Sequence, residues 1–436
     1  MRSSDWSHVP IGELCVGIYD GPHATPKKTD SGPVFLGISS LVAGRIDLAA
    51  SEHLSEEDYV TWTRRVTPNP DDVVFSYETR LGEAARIPDG LKCCLGRRMA
   101  LMRPDPTRVN ARFLLYAYLG PQFQETIRQR TIHGSTVDRI PLVQFPRFPI
   151  CVPQLPEQNA IAAILGSLDD KIELNRRMNQ TLEAMAQALF KSWFVDFDPV
   201  RAKAVGRPPT RMDAETAALF PDSLEDSVLG EIPQGWSVVP FSQQVNILSG
   251  GTPRTAVAEY WDGGIPWVSV VDTVPGPYIT ETEKTVSHSG VVNSAAKLLP
   301  GETVVITARG TVGNCALLAG PMSMNQSCYG LRGTNGVGQL FLFQQLRDQV
   351  GRLKASAHGS VFDTITHATF DSLDVVAPDV ATLAQYESTV RTLFVRILNG
   401  QQQSKTLAAV RDALLPKLLS GEIRVKEALE AFNVVL

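Results

Sequence analysis

HGSTVDRI at residues 133–140 and HGSVFDTI at residues 358–365 are nearly the same octapeptide, written twice in one chain. The pair is one of several matched landmarks that recur in the same order. Thr25-Pro26 in GPHATP answers Thr252-Pro253 in SGGTPR, FLGISSL (35–41) parallels WVSVVDT (267–273), and DDVVFSYETRLGEAA (71–85) parallels GETVVITARGTVGNCA (301–316). Each octapeptide is followed by an apolar stretch, PLVQFPRFPICVP (141–153) or FDSLDVVAP (370–378), and then by a long helical pattern. Order, spacing and the downstream helix together make the chain a duplication of one unit, a module followed by a helix.

Within each module, short runs such as PVFLGISSL, DVVFSYET, TVVITARG and IPWVSVVD are bounded by Gly, Pro and Asp and read as strands. They are mixed with helical periodicity in NARFLLYAYLGPQFQETIRQR (110–130) and QLFLFQQLRDQVGRLKASAH (339–358). The expected fold class is therefore α+β, with modules of about 150 residues each.

The long helices carry a different signal. Ile161, Leu165, Leu168, Ile172, Asn175, Asn179, Leu182, Ala186, Leu189 and Trp193 step alternately by four and three, the spacing of a coiled-coil seam. Tyr386, Val390, Leu393, Ile397, Gly400, Ser404, Leu407, Arg411, Leu414 and Leu418 repeat that spacing. Each seam has a polar middle, and each is the natural partner of the other. Helix one, from about Glu157 to Trp193, should be roughly 55 Å long at 1.5 Å per residue. Phe197 to Gly235 is rich in Pro and charge and reads as a connector with one short helical stretch. The expected organisation is module one over 1–155, helix one over 156–197, a linker over 198–235, module two over 236–379, and helix two with a tail over 380–436.

A length of 436 residues suits two or three domains, and 43% hydrophobic with 20% charged residues describes a globular chain. MRSSDWSHVP lacks the features of a secretory signal and no run of 18 apolar residues occurs, so the expectation is a cytoplasmic protein without membrane contact. Six cysteines show no C-x-x-C spacing and are expected to be reduced. The net charge of −5 gives no overall support to nucleic-acid binding. Locally, Lys92, Arg97, Arg98, Arg103, Arg108 and Arg112 face a single acid, Asp105, a density able to neutralise phosphates or simply to form a solvated face.

Catalytic motifs are missing. No Gly-Lys pair occurs, so no phosphate loop of that type exists, and H-E-x-x-H, G-x-S-x-G and G-x-G-x-x-G are absent. Asp169-Asp170-Lys171 imitates part of a nuclease site but sits mid-helix beside the seam and reads as structural. His133 and His358 precede Gly-Ser and read as turn residues or phosphate contacts rather than catalysts. The loops TRLGEA (79–84) and ARGTVG (308–313) expose backbone N–H groups and one Arg each, as a phosphate contact or an ordinary hairpin turn would.

GGTPRTAVAEYWDGGIPWVSVVD (251–272), ITARGTVGNCAL (306–317), MNQS (324–327), GSVFDTI (359–365) and above all LPEQNAIAAILGSLDDKIELNRRMNQTLEAMAQALFKSWFVDFDPVRAK (155–203) resemble the specificity (S) subunit of type I restriction-modification enzymes. The resemblance runs nearly end to end. It implies two target-recognition domains that each read half of a split, asymmetric site in double-stranded DNA, held apart by an antiparallel pair of coiled-coil helices. It implies a non-catalytic chain without cofactors of its own. Two methyltransferase (M) subunits would bring S-adenosylmethionine and adenine-N6 methylation, and restriction (R) subunits would bring ATP- and Mg-dependent cleavage. The helices would then act as a ruler between half-sites.

The DNA-binding residues so implied are Lys27, Lys28, Arg80, Arg97, Arg98, Arg254, Arg309, Thr311, Asn325, Gln326 and His358, Arg being suited to guanine and Asn or Gln to adenine. Two departures stand out. Leu383-Ala384-Gln385 takes the place of Leu155-Pro156-Glu157-Gln158, and LGRRM (95–99) takes the place of MNQS, as expected of modules reading different sequences. The rival reading is a coiled-coil scaffold that does not touch DNA, favoured by the acidic total and opposed by the basic run.

Overall fold

The structure, a computed structural model, describes residues 6–134, 137–273, 276–357, 364–425 and 427. The chain forms two compact units, Met1–Ile172 with Thr406–Leu436, and Glu173–Lys405. In chain order the helices are α1 (Glu56–Trp62), α2 (Ala111–Leu119), α3 (Pro121–Arg130), α4 (Leu155–Phe194), α5 (Asp198–Ala204), α6 (Ala214–Ala218), α7 (His288–Val292), α8 (Gln339–Ala357), α9 (His367–Asp371) and α10 (Val380–Leu419). The two long helices, α4 and α10, each give residues to both units.

In the first unit an antiparallel sheet runs in the order Cys15–Asp20, Met99–Pro104, Val73–Ser76, Ala84–Arg86. A second sheet sets Lys28–Leu36 between Glu52–Leu54, antiparallel, and Cys93–Leu95, parallel. Strand side chains alternate faces. Accordingly Val73, Phe75, Ala100 and Met102 join the core with α2, α3 and the start of α4, while Val74, Met99 and Leu101 pack with Val34 and Leu36 of the second sheet.

The helical pattern expected over 110–130 is two helices. Gly120 is extended, and Pro121 has no N–H with which to continue α2, so it opens α3 instead. The counterpart, lacking proline, is the uninterrupted α8.

The second unit repeats this plan. Its main sheet runs Val245–Ser249, Cys328–Gly333, Val304–Thr307, Cys315–Leu318, Tyr278–Ile279, and a smaller one sets Trp261–Val268 beside Lys284–Val286 and, in parallel, Ser323–Met324. Again Val304 and Ile306 face one core and Val305 the other. The segment 198–235 is folded rather than a loose tether: α5, α6 and a hairpin of Leu224–Ser227 with Gly230–Pro233 send Val200, Phe220 and Ile232 into the main core. Those few apolar anchors are scattered through polar sequence, which is why composition reads it as a connector.

The duplication holds bond by bond. Ile140, the last residue of the first octapeptide, donates its N–H to Tyr77 O at 2.8 Å, and Ile365 donates to Ala308 O at 3.1 Å. Ser76 N to Glu83 O (3.0 Å) corresponds to Thr307 N to Asn314 O (2.9 Å), and Ile11 N to Phe148 O (2.9 Å) to Phe241 N to Leu373 O (2.7 Å). Even the left-handed positions match: Asp71 (φ 71°) with Glu302 (φ 60°), and Gly82 (φ 86°) with Gly313 (φ 87°). Residues 135, 136 and 358–363, within the repeated octapeptides, lie outside the described residues.

Candidate nucleic-acid interface and helix seam

In the second unit the candidate DNA-binding residues sit on loops tied to one another by main-chain bonds. Gly251 N donates to Met324 O (2.9 Å), Asn325 N to Val268 O (2.8 Å) and Ala308 N to Ser327 O (2.7 Å), and the Thr252 hydroxyl donates to Gln326 Oε1. These bonds gather the loops carrying Arg254, Arg309, Thr311, Asn325 and Gln326. Arg254, Arg309, Thr311 and Gln326 are exposed. Asn325 is half-buried and spends Oδ1 on Ser327 N at 3.0 Å. Among the described residues, the guanidinium groups of Arg254 and Arg309 have no hydrogen bond or ion pair. His358 lies outside the described residues.

The first unit corrects the reading of its basic run. Lys92 meets Glu56 (2.5 Å), Arg98 meets Glu78 (3.5 Å), Arg103 meets Asp72 (2.8 Å) and Arg112 meets Asp170 (2.8 Å), while Arg108 donates to Glu13 O (2.8 Å). The acids that meet Lys92, Arg98, Arg103 and Arg112 come from distant parts of the sequence, so these four are held in ion pairs rather than aligned as an open phosphate track. Arg80 meets Glu83 (3.1 Å) and Lys28 meets Glu52 (2.5 Å). Lys27 and Arg97 are exposed, and neither has a side-chain partner among the described residues.

The bonds also fix the register between modules. Because Tyr77 answers Ala308, Glu78 stands where module two has Arg309, and Arg80 answers Thr311. The two loops therefore do not present equivalent arginines. His133, exposed, lies 3.1 Å from Asp138.

Along the helices, the second unit holds the polar middle of both seams. Asn175, 1% exposed, donates Nδ2 to Gln403 Oε1 (2.9 Å) and Ser404 Oγ (3.3 Å), and the Asn179 side chain lies against Gly400. The Trp193 and Tyr386 rings lie 5.8 Å apart. Numbers rise along α4 as they fall along α10, so these segments run antiparallel. Leu182, Val390 and Ile397 are buried and Leu189 and Leu393 half-buried.

In the first unit Ile161, Leu165, Leu168 and Leu407 are buried, and Ile172 and Leu414 half-buried. Asp169 accepts from Arg411 (2.7 Å) and from the Tyr116 hydroxyl (2.5 Å), and Asp170 takes both Arg112 Nη groups (2.8 and 2.9 Å). The Asp-Asp-Lys motif thus ties α4 to its surroundings.

Two features escaped sequence reading. Phe190, Trp193, Phe194, Phe341 and Tyr386 form an aromatic cluster in the second unit, signalled by ALFKSWF. Gln158, 1% exposed, accepts Asn110 N at 3.0 Å, and Glu387 accepts Leu340 N and Phe341 N, both at 3.1 Å. Gln158 therefore answers Glu387, and not the Leu383-Ala384-Gln385 segment.

Burial pushes the Cys15, Cys93, Cys94 and Cys328 thiols up to about 12, which keeps them protonated and poorly nucleophilic. Cys93 and Cys94 point to opposite faces of their strand, into separate clusters. No helix among the described residues is long and apolar enough to cross a membrane.

A mixed α+β module used twice, each copy followed by a long helix, is the class of protein these units define. The family described as the type I restriction modification DNA specificity domain matches residues 4–184 and 233–389, and the chain belongs to it. It is 28% identical over 368 residues to the type I restriction enzyme HindI specificity subunit of Haemophilus influenzae, covering 75% of this chain and 80% of that protein. It is 25% identical over 335 residues to the MjaIX specificity subunit of Methanocaldococcus jannaschii, covering 73% and 70%. The S subunit of a type I restriction-modification system from M. genitalium shares its fold, with a TM-score of 0.59 at 15% identity over 95% of this chain and 96% of that one.

Proposed function

We propose that the chain is the non-catalytic DNA-reading subunit of a type I restriction-modification assembly. Each module reads one half of a split, asymmetric site in double-stranded DNA. Methyltransferase subunits carrying S-adenosylmethionine dock on the chain and methylate adenine, and restriction subunits add ATP- and Mg-dependent cleavage. The observation that carries this reading is the second unit's loop cluster, in which Arg254 and Arg309, exposed and unpaired among the described residues, share a group of bonded loops with Gln326. Cationic groups with no internal partner suit phosphates or guanine edges, and a neighbouring amide suits adenine. Divergence of the matching loops in the first unit supports two unlike half-sites.

The test is a gel shift of the chain with its methyltransferase partner on duplex DNA across salt concentrations. Affinity should fall linearly on a log–log plot, with a slope near −0.9 per phosphate neutralised. A complex that binds no duplex at any salt would leave a scaffold in its place.

A further inference from the structure

The loop joining Cys93–Leu95 to Met99–Pro104 in module one corresponds to the loop joining Ser323–Met324 to Cys328–Gly333 in module two. Gly96 N to Leu36 O and Asn325 N to Val268 O are both 2.8 Å, Met99 N to Gly96 O (3.1 Å) matches Cys328 N to Asn325 O (3.3 Å), and Tyr77 N to Arg98 O (3.2 Å) matches Ala308 N to Ser327 O (2.7 Å). Three residue pairs follow: Gly96 with Asn325, Arg97 with Gln326, and Arg98 with Ser327.

We propose that Arg97 and Gln326 are the specificity-determining residues at equivalent positions of the two modules, Arg97 reading a guanine in one half-site and Gln326 an adenine in the other. The inference rests on the DNA-reading function proposed above.

Among the three loop positions only the middle one is exposed in both modules. Arg98 is bound to Thr79 Oγ1 (3.0 Å) and Glu78, and it faces a serine whose carbonyl is already used. At the first position Asn325 has no counterpart side chain, because module one has glycine there. Arg97, by contrast, is exposed with its guanidinium unpaired among the described residues, although Arg65, Arg80, Lys92 and Arg98 in the same module each have an acid.

Its backbone is nonetheless pinned. The Tyr77 hydroxyl donates to Arg97 O at 3.1 Å, and Tyr77 N holds the next carbonyl. A free guanidinium on a fixed backbone loses little loop freedom when it meets a base edge.

Gln326 is also exposed, and the Thr252 hydroxyl on Oε1 orients its amide while Nε2 has no bond among the described residues. Guanine offers two major-groove acceptors, O6 and N7, which match the donors of Arg; adenine offers N7 and the N6 donor, which match the two ends of an amide. The same loop position can therefore carry different letters in the two half-sites without any change of backbone.

The experiment uses the full chain assembled with its methyltransferase partner and a pool of duplexes in which each specified position of the wild-type site is varied singly. Wild type should demand guanine at one position of one half-site and adenine at one position of the other. Arg97→Gln should move that guanine preference to adenine by about ten- to a hundredfold and leave the other half unchanged. Gln326→Arg should do the reverse in the other half. Arg98→Gln should lower rates for all bases alike.

If wild type is sequence-specific but Arg97→Gln and Gln326→Arg keep its preferences at every position, or Arg98→Gln is the variant that redirects them, this inference is wrong and DNA reading stands. A wild-type assembly with no sequence preference would instead overturn the DNA-reading function, and this inference with it.

Discussion

Gln158 and Glu387 do the same work in the two repeats: each reaches from a long helix to receive main-chain N–H groups where the modules' own helices, α2 and α8, begin. In module one Asn110 also caps α2 with its side chain, at 3.0 Å from both Arg112 N and Phe113 N. In module two the preceding residue is Gly338, so Glu387 takes the orphan donors itself. Burial nevertheless outweighs those bonds and Arg391, and holds the Glu387 carboxyl above the ordinary carboxylate range.

A raised folded value favours the protonated form in the fold. Stability contributed by Glu387 is therefore present below the ordinary value of 4.5 and is lost as pH rises through the folded value. Glu387→Gln, which copies the residue of module one, should abolish that fall. Denaturant midpoints followed from acid to neutral pH should be flatter for the variant, and the variant should be the more stable at neutral pH.

Asn175 is buried in the polar layer with its Oδ1 unpartnered among the described residues. Its Nδ2 partners do not depend on it, because Ser404 Oγ already donates to Gly400 O (2.8 Å) and Gln403 is exposed. Asn175→Leu removes an unsatisfied buried group and should stabilise the chain by about 1 kcal/mol, seen as a higher thermal midpoint. Polar seam residues fix register at a cost in stability, so the wild-type asparagine marks specificity rather than strength.

At Gly400, a Cβ would stand 2.6 Å from Asn179 Oδ1. Gly400→Leu should destabilise by roughly 1–3 kcal/mol through overpacking. Combining it with Asn179→Ala should recover most of that loss, and a double-mutant cycle of denaturation midpoints would measure the coupling. Strictly additive effects would show that the two residues do not share that space.

Arg103 donates Nε and Nη2 to Asp72 at 2.9 and 2.8 Å, and Asp72 is 2% exposed. Arg103→Ala leaves a buried carboxylate unpaired and should cost about 3 kcal/mol of stability. Because this Arg serves the fold, the salt dependence of DNA binding should be unchanged, while Arg309→Ala should lower its slope by about one.

The duplication was legible because Ile140 and Ile365 end a repeated octapeptide and make the same main-chain bond. The seams were legible because Ile161, Leu165 and Leu168 keep a helical period over many turns. The roles of individual arginines were not. Arg98, Arg103 and Arg112 find acids at Glu78, Asp72 and Asp170, far apart in sequence and brought near only by the sheet and α4, so a charge count along a window misreads them. The loop register needed the fold for a related reason: Arg80 and Arg309 look alike in the linear order, but the main-chain bonds make Arg80 the equivalent of Thr311.

The most direct measurement is single-molecule sequencing of methyladenine in DNA from cells expressing this chain with its methyltransferase partner. The account predicts one split, asymmetric motif with a constant gap, lost when the chain is deleted and altered in one half only when one module is replaced. Methylation at an unsplit motif, or a motif that persists without the chain, would contradict it.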